Sequence, residues 1–105
     1  MASGRLEALE RMIGNRPDDL RLRYGLALEY LGAGRTDEGV KELRVYLARA
    51  DDQGNGWGRL GSVLRDLGQA DDALEAYRTG IEAALRHGHP SMAEEFEEIV
   101  EGMRP

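Results

Sequence analysis

The chain has 105 residues, enough for one small domain with one modest core, and its 41% hydrophobic and 32% charged composition is that of a globular rather than a disordered chain. A net charge of −6, with five basic against ten acidic residues over 54–105, argues against nucleic acid or anionic lipid as a partner. The lack of any Cys removes disulfides, zinc ribbons, iron–sulfur clusters and thiol catalysis.

The opening Met1–Arg5 runs straight into a charged amphipathic pattern instead of a signal-peptide apolar core, and no apolar run is long enough to span a bilayer. A cytoplasmic location is therefore expected. Leu6, Leu9, Met12 and Ile13 predict a first helix near 3–14. A second, near 19–33, carries a core stripe of Leu20, Leu22, Leu26, Ala27 and Tyr30, and Gly34 ends it. Thr36 is placed to cap a third helix near 36–50, with Asp37 and Glu38 in its first turn and Val40, Leu43, Tyr46 and Leu47 along one face. Trp57, Leu60, Gly61 and Leu64 mark a fourth near 55–67, closed at Gly68. Ala73, Leu74, Tyr77, Ile81 and Leu85 mark a fifth near 70–87, stopped by the Gly and Pro of 86–90. Ser91 with Glu94 reads as a capping box for a last helix near 91–103, which carries Phe96, Ile99, Val100 and Met103. No segment alternates with a period of two, so no strand is expected.

A shift of 34 residues overlays the chain on itself: Leu26 falls on Leu60, Ala27 on Gly61, Gly34 on Gly68, Asp37 on Asp71, Val40 on Leu74 and Leu47 on Ile81. The expected organisation is a single repeat domain over 1–105, with a half unit at 3–16, units at 19–53 and 54–89, and a capping helix at 91–103. The polar outer faces of the two end helices, Glu7, Glu10 and Arg11 at one and Glu95, Glu98 and Glu101 at the other, suit the ends of a closed array, so a monomer is expected.

Trp57-x2-Leu60-Gly61-x2-Leu64 followed by Gly68, Ala73, Tyr77 and Gly80 resembles a tetratricopeptide repeat (TPR), and Leu26-Ala27-x2-Tyr30, Gly34, Gly39 and Leu43 resemble a second, more divergent copy. Pro17 and Pro90 stand where that family places its inter-repeat proline. The resemblance implies an all-α fold, a short right-handed helical-repeat solenoid. Two positions depart from it. Asp51 stands at a boundary where proline is expected, and Arg23 stands where the second unit has Trp57. Arg23 is expected to lay its stem on apolar surface and keep its head in water.

The same resemblance implies a protein- or peptide-binding adaptor or scaffold whose first helices line a concave groove. Tyr24, Leu28 and Leu31, a second apolar stripe on the second helix, occupy groove positions by that analogy, as do Gly58, Ser62 and Arg65. The alternative use of the Tyr24/Leu28/Leu31 stripe is burial against neighbouring helices, or self-association of the chain into a homo-oligomer such as a dimer. Arg59 and Arg65 are candidates to hold an acidic ligand group; their other use is to pair with Glu94, Glu97 or Glu101. The Lys and Asn set with which some members clamp a terminal carboxylate is replaced here by Tyr24, Leu28, Gly58 and Ser62, so that ligand is not expected.

Chemistry is not expected elsewhere. His87-x-His89 with Glu94 and Glu95 offers only two imidazoles in a Gly/Pro turn, and a helix-end histidine beside a loop histidine explains it without a metal. Ser62 lacks a nucleophile elbow, and no glycine-rich phosphate loop is present. No enzyme activity, cofactor, nucleic acid or membrane partner is expected.

Overall fold

A computed structural model describes residues 3–105, so Met1 and Ala2 of the N-terminal pattern lie outside the described residues. Six helices follow in order: α1 (Ser3–Asn15), α2 (Leu20–Gly32), α3 (Thr36–Arg49), α4 (Asn55–Asp66), α5 (Ala70–Arg86) and α6 (Pro90–Gly102). No strand occurs among the described residues. Contacts gather into two compact units, one ending at Ala50 and the other running from Asp51 to Pro105. In the first, α2 packs on α1 and α3; in the second, α5 packs on α4 and α6.

Three turns share one device. Gly34, Gly68 and Gly88 have φ of 78°, 79° and 77°. In each, the amide after the glycine reaches back to the third-last helical carbonyl: Arg35 to Tyr30 at 2.9 Å, Gln69 to Leu64 at 2.9 Å and His89 to Ala84 at 2.7 Å. The glycine amide reaches the next carbonyl on, Leu31, Arg65 or Leu85. This is a Schellman closure, and it needs a residue that enters the left-handed region without a Cβ penalty.

The helix starts differ from the expected caps. Arg35, not Thr36, is the N-cap of α3; its side chain leaves the helix amides alone and grips Glu38 through two 2.6 Å contacts. Ser91 caps nothing, because Pro90 takes the first helical position and His89 becomes the N-cap of α6. Asp19 does cap α2, accepting from the Leu22 amide at 3.1 Å.

The core of the first unit forms around Leu6, Leu26 and Tyr30, with Leu9 and Ile13 packed against them. Tyr30 is 7% exposed and donates its hydroxyl proton to Glu10 at 2.7 Å. That bond, then burial, pushes its pKa up to about 12. The second unit is built around Tyr77, Phe96 and Val100, with Leu74, Ile81, Met92, Ile99 and Met103 at its margin. Two glycines permit this packing. A Cβ on Gly61 would lie 2.8 Å from the Tyr77 ring, and one on Gly80 would lie 3.0 Å from Trp57 Cβ and 3.1 Å from Phe96.

Candidate functional site

In the first unit, the faces of α2 are divided by their neighbours. Leu26 and Tyr30 meet α1, and Glu29 pairs with Arg5. Ala27, Leu31, Arg23 and Tyr24 meet α3. The Leu31 Cδ2 and the Ala27 carbonyl oxygen stand 2.5 and 3.2 Å from where a Cβ on Gly39 would be. Arg23 donates to Glu42 at 2.8 Å, and the Tyr24 ring lies 4.8 Å from that of Tyr46, tilted by 40°. Leu28 is one residue on from Ala27, about 100° around the helix. It lies only about 40° and 60° around from Tyr24 and Leu31, at the edge of the side that meets α3 and opposite Leu26. It is half-buried, and a Cβ added to Gly25 or Gly32, on the same side, would find nothing within 4 Å.

The stripe Tyr24, Leu28 and Leu31 thus divides by role. Leu31 closes over Gly39, Tyr24 leans on Tyr46, and Leu28 is the member left between two glycines. Tyr46 joins this face, although helical spacing alone puts it in the α3 core stripe. No sequence signal pairs two tyrosines on different helices. Arg23 also differs from expectation. Its side chain is 13% exposed, and its head, far from being wet, holds Glu42 and donates to the Pro17 carbonyl at 2.9 Å. Its Nε is buried with no acceptor, so Arg23 tethers α2 to α3 and to the preceding turn at some electrostatic cost.

In the second unit, Gly58, Ser62 and Arg65 lie at i, i+4 and i+7 on α4. The ring of Phe96 stands 2.5 Å from where a Cβ on Gly58 would be, so α6 takes up the space over that position. Ser62 is half-buried; Arg59 and Arg65 are exposed. The pairing with Glu94, Glu97 or Glu101 does not form: among the described residues no ion pair engages either arginine, and Glu101 pairs with Arg104 at 3.1 Å. The outer face of α6 presents Glu94, Glu95, Glu97, Glu98 and Glu101 to solvent.

The start of α4 holds a feature that the spacing of apolar residues does not reveal. Asp52 is 7% exposed, and its Oδ1 accepts from the Gly54 and Gly56 amides at 2.8 and 2.9 Å. It thereby does the work of a cap from two residues before the N-cap, Gly54, whose φ is 128°. An Asp two residues before a glycine at a helix start was the available signal. Among the described residues, no group of three His, Asp or Glu side chains converges to hold a metal, and no helix is long and apolar enough to cross a membrane.

Comparison with known proteins agrees with this architecture. A TPR repeat-containing protein of Pseudomonas aeruginosa is 29% identical over 91 residues, covering 87% of each chain. The solution structure of a Bordetella parapertussis protein superposes with a TM-score of 0.77 at 26% identity, over 93% of this chain and 85% of that one. The tetratricopeptide repeat family matches residues 1–85. The chain therefore belongs to the tetratricopeptide repeat family of helical protein-interaction modules.

Proposed function

We propose that the chain is a non-catalytic adaptor or scaffold that binds a peptide segment of another protein on the exposed face of α2. The observation that carries this is Leu28: a large apolar side chain, half-buried, on the side of α2 opposite Leu26 and beside Tyr24 and Leu31, between glycines whose missing Cβ atoms leave room for a chain to approach. Tyr24 and Tyr46 extend this face with a tilted aromatic pair, and Leu31 bounds it where α2 meets Gly39. On α4 of the second unit, taken by itself, Ser62 supplies a hydroxyl, and Arg59 and Arg65 supply two unpaired cations that suit an acidic ligand group. Gly58 contributes only backbone beneath Phe96. Leu or aromatic anchors on a peptide are the chemistry that matches the α2 face.

The test is selection of peptides from a random display library on the immobilised full chain, followed by binding isotherms for the best sequence. Tyr24→Ala with Leu28→Ala should abolish binding while the far-UV circular dichroism is kept. A folded double variant that binds as wild type sinks the assignment. A chain whose mass doubles with concentration, and whose doubling the same substitutions abolish, would instead make the stripe a self-association surface.

A further inference from the structure

The chain contains two asparagines, and of these Asn55 alone is followed by glycine. That pair has a chemistry of its own. Glycine carries no Cβ beside its nitrogen, so nothing shields the nitrogen from the carboxamide of the residue before it. Once the amide proton is lost, the nitrogen can attack the asparagine Cγ and close a five-membered imide. Asn15 is followed by Arg16, whose side chain crowds the same approach.

The fold closes this reaction at two points. Asn55 is exposed and opens α4, whereas Gly56 is buried, and the Gly56 amide donates to Asp52 Oδ1 at 2.9 Å. A buried carboxylate at that distance opposes loss of the amide proton, because the nitrogen anion would form against another negative charge. Ring closure also needs Cβ of Asn55 and the glycine nitrogen nearly eclipsed about the Cα–C bond, and the helical torsion of a first-turn residue holds them apart. The segment is tied down around Asp52. A Cβ on Gly54 would lie 2.6 Å from Met92 Sδ and 3.3 Å from the Gly80 carbonyl oxygen, so α5 and α6 close over it. Arg86 donates to Asp51 at 3.2 Å, and His89 Nε2 lies 2.6 Å from Gln53 Oε1.

We propose that Asn55 is a deamidation site that Asp52 keeps shut by holding the Gly56 amide. When the start of α4 opens, the Gly56 nitrogen gives its proton to a solvent base and attacks Asn55 Cγ. The N–Cγ bond forms, the Cγ–Nδ2 bond breaks, and the side-chain nitrogen leaves as ammonia with a proton from water. Water then opens the imide. Attack at Cγ restores the ordinary backbone with an aspartate at position 55; attack at the backbone carbonyl carbon leaves an isoaspartate, with the chain running through the side chain. Water is the only co-reactant. The aspartate product suits a first turn that holds no acid, since negative charge is favoured beside the free helix amides. The isoaspartate product adds a methylene to the backbone before Gly56 and draws its amide off Asp52. The site thus records, as a covalent change, how often this end of α4 has opened. It belongs to the second unit alone and does not rest on the binding surface proposed above.

The test incubates the full chain in mildly alkaline buffer, folded and in concentrated urea, and follows the tryptic peptide 50–59 by mass spectrometry, with Asn15 as the internal reference. In urea, Asn55 should convert faster than Asn15. In the folded chain its conversion should be slower than in urea by roughly tenfold or more, because only the opened fraction reacts. Asp52→Ala, shown to be folded by circular dichroism, should speed the folded-state conversion by roughly two- to thirtyfold, the fold-change that matches loss of a helix cap. Folded Asp52→Ala converting at the wild-type rate overturns the proposal, as does a folded wild type that converts as fast as in urea or an Asn55 no faster than Asn15 in urea. Should Asp52→Ala fail to fold, Asp52→Asn, which keeps an acceptor oxygen without its charge, takes its place: faster conversion than wild type upholds the proposal and an equal rate overturns it.

Discussion

Two glycines on first helices should respond to added side chains with opposite signs. Gly61 faces the Tyr77 ring, three of whose atoms lie 2.8, 2.8 and 3.0 Å from the place a Cβ would take. Tyr77 is 3% exposed and cannot swing clear, since the Phe96 ring lies 5.6 Å from it, centroid to centroid. Gly61→Leu therefore forces a close-packed hairpin apart and should cost about 1–3 kcal/mol. Gly61→Ala should fall nearer neutral, because a helix-propensity gain of about 1 kcal/mol offsets part of the clash. Gly25 sits mid-helix in α2 with no atom within 4 Å of its missing Cβ. Gly25→Ala should then stabilise by about 0.5–1 kcal/mol through propensity alone. Urea titrations followed at 222 nm read both. With a slope of about 2 kcal/mol/M, Gly61→Leu lowers the midpoint by roughly 0.5–1.5 M and Gly25→Ala raises it by roughly 0.3–0.5 M. A Gly61→Leu midpoint at or above wild type would refute the close approach of α4 and α5.

Leu43 is fully buried, so Leu43→Ala should cost about 2–5 kcal/mol, whereas Leu28→Ala should cost under about 1 kcal/mol because no sealed cavity is left; paired urea midpoints check this. Asp52→Ala removes the cap on two α4 amides and should cost about 0.5–2 kcal/mol, seen as a lower midpoint and faster exchange at Gly54 and Gly56. Tyr30 should ionise near pH 12 in a tyrosinate absorbance titration, and Tyr30→Phe should delete that phase. The sign follows from linkage. A folded-state pKa raised from 10 to about 12 gives a contribution to stability that is complete below pH 10 and lost as pH rises toward 12. Glu10→Gln, which removes the charged acceptor, should bring the phase back toward 10 and shrink the alkaline loss.

The repeat was readable because its markers are local and recur. Gly34 and Gly68 end helices for a reason intrinsic to glycine, and the apolar stripes of α2 and α4 repeat at the same 34-residue spacing. What was not readable depends on the fold or on competition between neighbouring residues. Thr36 and Ser91 have good capping side chains, but the chain enters those helices one or two residues earlier, and at α6 the fixed φ of Pro90 decides the start. Arg23 looked like a surface snorkel until its distant partner Glu42, nineteen residues away, was brought beside it. Gly58 had the spacing of a groove residue, but only tertiary structure brings the Phe96 ring over it. Of the candidate residues on α2, spacing placed Tyr24, Leu28 and Leu31 on one stripe, and only packing separates Leu28 from the two that lean on α3.

The most direct measurement of the binding assignment is an amide chemical-shift titration of the full chain with the peptide selected in display. The account predicts that the largest changes fall at Tyr24, Gly25, Leu28 and Gly32 on α2, and that Leu28→Ala weakens binding at least tenfold with an unchanged spectrum elsewhere. Changes confined to the outer faces of α3, α5 or α6, with Leu28→Ala binding as wild type, would contradict it.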